Sequence, residues 1–218
     1  MSKIILLNGA AKCGKDTLIN FLDETACCEL KRAECKESLH NLTMSLFNVS
    51  SDRYWEIYNN RDLKERALSE FEISLSEWEI LKLEEILDYT LTKFTVAQLL
   101  RLSIREAMIY VSEIICKPRF GKDYFGKARV VALDKQDINN YIDGSCGFVE
   151  ELPPLIEKLG QENILLLRIH REGCTFEGDS RDWVPDGVIT NTVDIYNNGS
   201  EIEYLHQACW IVEKFLDE

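Results

Sequence analysis

The chain has no C-x-x-C pair among its eight cysteines, and none of them has a spacing typical of a zinc site. No signal-peptide pattern precedes the first apolar run. We therefore expect the cysteines to be reduced thiols in a cytoplasmic protein, rather than a disulfide framework.

The chain also lacks long apolar runs, internal repeats and an excess of basic residues. No run approaches the ~18 apolar residues that a membrane span needs. Lys and Arg number 25 against 38 Asp and Glu, a formal net charge of −13, which argues against sequence-independent binding of nucleic acid. In so acidic a chain, cations gathered near one motif are expected to have a functional reason. The 218 residues suffice for one α/β domain with an insertion.

A glycine-bounded loop near the start is the strongest functional signal. The apolar run 4–7 predicts a buried strand, and the spacing after Thr17 predicts a helix. Between them the pattern G-x4-G-K places Gly9 and Gly14 where the backbone can curl its N–H groups into one concavity, and Lys15 adds a full positive charge. We predict a polyphosphate-binding loop, with these contacting residues: Gly9, Ala10, Lys12, Cys13, Gly14, Lys15, Asp16 and Thr17.

Asp16 departs from the general pattern, which has Ser or Thr after the lysine to serve a magnesium ion. A carboxylate can also hold Mg²⁺, directly or through water. Alternatively, Thr17 supplies the oxygen and Asp16 only caps the helix. The sequence leaves both possibilities open.

Strands alternate with helices along the rest of the chain, which predicts an α/β fold with a parallel sheet wrapped by helices. Strands are predicted at 140–143, 164–169 and 193–196, and helices at 34–49 and 150–159. Capping boxes at Ser74–Glu77, Ser103–Glu106 and Ser200–Glu203 predict three further helix starts. The predicted helix 34–49 is expected to bury Leu39, Leu42, Leu46 and Phe47. The last predicted helix is expected to bury Ile202, Leu205, Cys209, Val212 and Leu216. Residues 50–100, acidic and aromatic, are predicted to form a helical insertion.

Several arginines lie where an anion would stabilise them. Arg105 falls in the first turn of a predicted helix, where the dipole favours anions, so a bound anion would remove the conflict. Loop 170–181 contains two glycines and is flanked by arginines, which predicts a lid. The alternative is an exposed loop whose Arg171 and Arg181 pair with neighbouring acids.

Together these motifs resemble the phage-type deoxynucleoside monophosphate kinases. The resemblance rests on Gly14-Lys-Asp-Thr17, Ser103-Ile-Arg-Glu106, and segments 118–124, 143–151, 168–174 and 178–181. It covers about the first 30 residues and most of the chain after Arg101. It implies a P-loop kinase fold over 1–218, with the helical insertion at 50–100 and a lid-like loop at 168–183.

The resemblance also implies residue roles and ligands. ATP would donate its γ-phosphoryl group, with Mg²⁺, to a deoxynucleoside monophosphate in the cytoplasm, which would be that of the infected host if a phage encodes the chain. Lys15, Arg171 and Arg181 would be catalytic, and Asp16 would serve the metal. Arg105 and Arg119 would bind the acceptor phosphate. The other acceptor residues would be Asp143, Phe148 and Glu151, and Asn197 and Asn198 would lie at the edge of the adenine. No nucleic-acid or membrane partner is expected, and a homodimer is left open.

Three alternatives remain at this stage. The Gly-Lys-Asp variant is also similar to phosphomevalonate kinases, and a dephospho-coenzyme A acceptor is a related option. A nucleotide-dependent switch or ATPase is a second alternative, although the chain has no Asn-Lys-x-Asp guanine signature. The third is an inactive relative that only binds nucleotide.

Overall fold

The computed structural model describes residues 2–25, 30–33, 36–91, 99–134, 140–177 and 179–217. The chain divides into two compact units. We call Met1–Cys35 with Phe125–Glu218 the sheet unit, and Lys36–Tyr124 the helical unit. The predicted insertion, 50–100, lies in the helical unit, with 92–98 outside the described residues.

The described residues contain both strands and helices. The strands are β1 Lys3–Asn8, β2 Lys31–Arg32, β3 Glu72–Ser74, β4 Leu99–Arg101, β5 Asn140–Cys146, β6 Ile164–His170 and β7 Asn191–Tyr196. The α-helices are α1 Lys15–Thr25, α2 Glu37–Phe47, α3 Ser51–Asn59, α4 Arg61–Lys64, α5 Glu77–Leu87, α6 Ile104–Ile109, α7 Lys117–Phe120, α8 Tyr124–Asp134, α9 Leu152–Leu159 and α10 Glu201–Asp217. A π-helical stretch, Tyr110–Cys116, joins α6 to α7, and short 3₁₀ turns occupy Ser69–Phe71, Val149–Glu151 and Gln161–Asn163.

The sheet unit is built on a parallel sheet with the order β2-β5-β1-β6-β7. β1 lies in the middle and is apolar because both of its faces are covered. Ile5 and Leu7 pack in a cluster with residues of α1 and α10, whereas Ile4 and Leu6 pack with residues of α8 and α9. The predicted α/β class, with a parallel sheet wrapped by helices, is confirmed.

Strand β5 is longer than predicted. It was expected to end at Gly144, but the pairing with β1 continues to Cys146 across an irregularity. Asp143 is therefore inside the strand and buried, level with Leu6, rather than at the strand end.

One predicted capping box is wrong by two residues. The box that opens α5 is Ser76 with Glu79, whereas Ser74 belongs to β3 and pairs with Leu99. The boxes at Ser103–Glu106 and Ser200–Glu203 are confirmed by reciprocal hydrogen bonds. Tertiary pairing of β3 thus decided between two overlapping Ser-x-x-Glu patterns.

Two predicted apolar faces are partly wrong. In α10, Ile202 is 66% exposed, and the buried stripe is Tyr204, Leu205, Ala208, Val212 and Phe215. In α2, Leu42 and Leu46 are exposed, and the buried residues are His40 and Thr43. Glu34, the predicted start of that helix, lies outside the described residues.

Two further sequence expectations can be compared with the described residues. Within them, no helix is long and apolar enough to cross a membrane. Cys13, Cys116, Cys146, Cys174 and Cys209 are free thiols, and the other three cysteines fall outside the described ranges.

A buried histidine gives the helical unit a pH-dependent stability. His40 is surrounded by the rings of Tyr54, Trp55 and Tyr58, and its Nδ1 lies 2.8 Å from the Tyr54 hydroxyl. Burial lowers the pKa of His40 to about 4, helped by nearby lysines. The unfolded chain takes up this proton near pH 6.5, so the stabilisation is complete above that pH and is lost as the pH falls toward 4.

We expect His40→Gln to unfold with a weaker pH dependence than the wild type between pH 7 and pH 5. The difference in unfolding free energy should be about 2 kcal/mol, measured by urea denaturation at both values. The exposed His206 supplies the control, since His206→Gln should keep the wild-type dependence. Equal pH dependence in both variants would show that His40 is not responsible.

Candidate functional site

The loop between β1 and α1 needs glycine at both motif positions. A Cβ on Gly9 would lie 2.6 Å from Cys13 Sγ and 2.7 Å from the carbonyl oxygen of Ile169. Gly14 has a φ of +114°, and a Cβ there would lie 2.5 Å from Asn197 Nδ2. Lys12 also has a positive φ, 65°. The loop is thus tightly curled against the carboxyl ends of β6 and β7, where ligands bind in open parallel sheets.

The ammonium group of Lys15 lies inside this loop. Lys15 opens α1 and is 8% exposed, and its Nζ donates hydrogen bonds to the carbonyls of Gly9 (2.6 Å) and Ala10 (2.7 Å). Burial lowers the pKa of Lys15, Cys13 opposes this, and the charge of nearby Arg181 lowers it further. A polyphosphate in the loop would favour the charged form of this lysine, because an anion offsets both burial and the second cation.

Two side chains from outside the motif contact the loop, and a third, Asn8, anchors the end of the strand that leads into it. Asn8, at the end of β1, donates to the carbonyls of Cys146 (3.3 Å) and Asp182 (3.0 Å) and accepts from the N–H of Val184 (2.9 Å).

Asn197 donates to the Cys13 carbonyl (2.9 Å), and the Tyr204 hydroxyl donates to the Gly14 carbonyl (3.1 Å). Burial raises the pKa of Tyr204, which keeps this donor protonated. The sequence placed Asn197, with Asn198, at the adenine, and it gave no signal for Asn8 and Tyr204, because these contacts join residues far apart in the chain.

Both predicted lid arginines lie beside the loop. Arg171 is exposed and donates from Nη1 to the carbonyl of Lys12 (3.2 Å). Arg181 packs over Gly147, where a Cβ would come within 2.7 Å of Arg181 Cβ. Its Nε and Nη2 donate to the two carboxylate oxygens of Asp179, at 3.0 and 2.6 Å. Arg171 thus contacts the loop that holds Lys15, and the charge of Arg181 contributes to lowering the pKa of Lys15. Gly178 of the same segment lies outside the described residues.

Asp16, Thr17 and Asn198 take different positions around the loop. Asp16 and Thr17 are exposed in the first turn of α1, where the helix dipole favours the carboxylate. Asn198 accepts a hydrogen bond from the N–H of Glu172 (2.7 Å), so it ties the turn after β7 to the lid-like loop. Asn197, rather than Asn198, contacts the glycine loop itself.

Asp143 and Glu151 belong to a buried ionic cluster. Arg129 Nη2 in α8 lies 3.3 Å from Asp143 Oδ2 and 3.4 Å from Glu151 Oε2, and all three side chains are buried. Asp143 Oδ1 also accepts from the N–H and the hydroxyl of Ser145. Phe148 is half-buried in the connection that follows β5. Arg129 was missed by sequence analysis, which had no signal to separate it from surface basic residues.

The two predicted acceptor arginines belong to the helical unit. Arg105 lies in the first turn of α6, beside the Ser103–Glu106 box, and the Tyr89 hydroxyl donates to Glu106. Arg119 is exposed in α7. The pKa of Glu79 is lowered mainly by a hydrogen bond from Ser76, and to a lesser extent by one from Tyr110 and by the charge of Arg119.

α6, the π-helical stretch and α7 follow one another without a break, so Arg105 and Arg119 are 14 residues apart along a helix. That spacing is about 20 Å of helix at an α-helical rise. Holding one phosphate together would require both side chains to extend toward each other along the axis.

A metal ion would need ligands beyond the protein side chains described. Within the described ranges, no group of three or more His, Cys, Asp or Glu side chains is placed to hold a metal. Mg²⁺ is usually bound through one or two carboxylates together with substrate phosphates and water. The exposed carboxylate of Asp16, directly after Lys15, fits that donor set.

No protein-family model matches the chain, and a search of curated proteins also finds no match.

Proposed function

We propose that the protein transfers the γ-phosphoryl group of ATP to a deoxynucleoside 5′-monophosphate. The observation that carries this proposal is the gathering of Lys15, Arg171 and Arg181 around a glycine loop at the carboxyl end of a parallel sheet. Phosphoryl transfer needs positioning and charge neutralisation more than covalent chemistry, and this loop supplies both. The choice of acceptor rests on the motif resemblance.

The residues of the sheet unit divide into two roles. Lys15 and the loop N–H groups would hold the β- and γ-phosphates of the donor. Arg171 and Arg181, one on each side of the lid-like segment, would neutralise charge that develops on the migrating group. Asp16 would hold Mg²⁺, directly or through a bound water, and the ion would supply further positive charge for the phosphates.

Asp143 and Glu151 are assigned to the acceptor, and Arg129 would hold both carboxylates in position. Both carboxylates lie next to this guanidinium, which would hold their orientation rigidly. Breaking such a buried group usually destabilises a protein by about 3–5 kcal/mol, so activity tests at these positions need a stability control.

Arg105 is assigned to the acceptor phosphate. We expect Arg105→Ala to raise the acceptor KM at least tenfold, because a hydrogen bond to a charged group is worth roughly 1.5–3 kcal/mol. The KM for ATP should stay almost unchanged. Arg101→Ala serves as the control, since Arg101 is an exposed arginine of the same unit that pairs with Glu72. An equal rise in both KM values for Arg105→Ala would point to a disturbed helix instead.

Asp16 is assigned to the metal. We expect Asp16→Ala to raise the Mg²⁺ concentration for half-maximal rate about tenfold, as loss of a supporting ligand generally does. Asp16→Ser should recover part of the loss, because a hydroxyl is the common solution at this position. Mg²⁺ titrations of the transfer rate give both values. If both variants needed the same Mg²⁺ concentration as the wild type, the metal would be assigned to Thr17 or to water alone.

A panel of acceptors with Mg-ATP tests the proposal against its alternatives. It should contain all deoxy- and ribonucleoside monophosphates, dephospho-coenzyme A and phosphomevalonate. We expect diphosphate formation with one or more deoxynucleoside monophosphates. Turnover only with the other two compounds would change the substrate class, hydrolysis independent of acceptor would favour a switch or ATPase, and ATP binding without any turnover would favour an inactive relative.

A further inference from the structure

Three aromatic rings form a stack at the carboxyl end of β6 and β7. His170 ends β6 and pairs with Tyr196, which ends β7. The imidazole lies 4.3 Å from the Trp183 ring and 5.0 Å from the Tyr196 ring, at interplanar angles of 22° and 21°. Between these described residues, Trp183 and Tyr196 make no ring contact, so the imidazole separates them. The order in the stack is therefore Trp183, His170, Tyr196.

One end of this stack is covered and the other is open. The ring of Phe176 packs edge-on against Trp183, with centroids 5.1 Å apart. Tyr196 is 63% exposed although its ring rests on His170. An exposed aromatic face held against a second ring is a platform on which a planar ligand can stack.

A chain of polar contacts holds the platform rigid. His170 Nε2 lies 2.5 Å from Asp194 Oδ1, and Arg168 Nη2 donates to Asp194 Oδ2 at 2.6 Å. The imidazole therefore cannot swing away from Tyr196 without breaking this contact. A preorganised ring lowers the entropy cost of binding.

The platform borders the phosphate loop. Arg171, the residue after His170, donates to the carbonyl of Lys12, and Asn197, the residue after Tyr196, donates to the carbonyl of Cys13. Consecutive Cα atoms are about 3.8 Å apart, so each ring is one residue from a loop contact. A nucleotide whose phosphates occupy the loop would have its base within reach of this edge of the sheet.

The nearest amide side chains are already used within the protein. Asn197 Nδ2 donates to Cys13, and Asn198 Oδ1 accepts from Glu172. Reading the edge of a base with Asn197 Nδ2 or Asn198 Oδ1 would compete with these contacts. Stacking on the face of a base tolerates different bases, because every base has a π-face.

We propose, on the basis of the function proposed above, that the open face of Tyr196 stacks on the base of the phosphoryl donor and that the donor site discriminates little between adenine and guanine. Tyr196 is then a base-binding residue of the donor site. Trp183 and His170 act as positioning residues behind it.

The test is equilibrium binding of ATP, GTP and CTP, with Mg²⁺, to the wild type and to Tyr196→Leu, Tyr196→Phe and Trp210→Leu. ATP and GTP should bind to the wild type within a fewfold of each other. Tyr196→Leu should weaken both about ten- to a hundredfold, and Tyr196→Phe should stay close to wild type. Trp210, also 63% exposed on the sheet unit, is the matched control and should show no effect.

Four outcomes would overturn the proposal. If Tyr196→Leu bound ATP and GTP as tightly as the wild type, the stacking proposal would be wrong, and the proposed kinase function would be unaffected. Weak binding by Tyr196→Phe would assign the effect to the hydroxyl group, and GTP binding a hundredfold weaker than ATP would show that base edges are read. No binding of any triphosphate to the wild type would contradict the proposed function as well. Thermal melting of each variant shows whether a change in affinity comes from unfolding.

Discussion

Lys15→Met should lower the rate of phosphoryl transfer by about a thousandfold or more. The ammonium group lies inside the phosphate loop, 2.6 and 2.7 Å from two of its carbonyl oxygens, where it would meet the donor phosphates. Removing one preorganised group that stabilises charge in a transition state costs about 10²–10³ in rate, and Lys15 carries a full charge in a buried position. Methionine keeps an unbranched chain of similar length, so the change mainly removes charge and hydrogen bonds.

Single-turnover transfer assays of Lys15→Met and Lys15→Ala give the comparison, with thermal melts of both. Lys214→Ala, at an exposed lysine of α10, is the control and should keep the wild-type rate. Near-normal transfer by folded Lys15→Met would rule out the loop as the phosphate site.

Arg181→Ala should lower kcat by about a hundredfold or more, with little change in ATP affinity. The charge of its guanidinium contributes to lowering the pKa of Lys15, and Arg181 lies within the lid-like loop 168–183. Charge on the migrating group would be neutralised mainly in the transition state, so the effect belongs in kcat. Arg181→Lys should recover little, because a point charge cannot reproduce the planar contact of a guanidinium with phosphate oxygens.

The bidentate contact with Asp179 supplies the competing explanation for Arg181. If Arg181 only holds Asp179, then Asp179→Asn should lower kcat as much as Arg181→Ala does. We expect Asp179→Asn to keep most of the activity, since its charge is not needed in the transition state. Comparable losses in the two variants would mean that the arginine is structural.

Arg171→Ala, at the other side of the segment, should show a loss of similar size to Arg181→Ala.

The sequence predicted those parts of the fold that local chemistry determines. β1 is buried on both faces and therefore reads as an uninterrupted apolar run, and Gly9 and Gly14 mark places where any Cβ would clash. The Ser103–Glu106 and Ser200–Glu203 boxes act within four residues of chain, so their pattern was sufficient.

Errors arose where distant residues decide the local structure. Ser74 was excluded from a capping box by its pairing with Leu99 across the β3–β4 ladder. His40, a polar residue, occupies the buried face of α2 because the Tyr54 hydroxyl and three rings lie against it. Neither Leu99, the partner of Ser74, nor Tyr54, the partner of His40, can be identified from periodicity along a single element.

In the candidate site, too, local patterns were informative and contacts between distant residues were missed. The pattern G-x4-G-K and the arginines of loop 170–181 predicted Lys15, Arg171 and Arg181 as site residues, because clustered cations are unusual in an acidic chain. Asn8 and Arg129 were missed, since Asn8 acts on residues more than 130 positions away and Arg129 is basic but buried beside two carboxylates. Only the sheet topology brings such residues together.

Transfer of a labelled γ-phosphoryl group from ATP tests the central claim most directly. The purified protein is incubated with Mg²⁺, γ-labelled ATP and each deoxynucleoside monophosphate, and the labelled products are separated. We predict label in a deoxynucleoside diphosphate, in proportion to the ATP consumed, and its loss in Lys15→Met. Label released only as inorganic phosphate, or retained entirely in ATP with every acceptor, would contradict the claim.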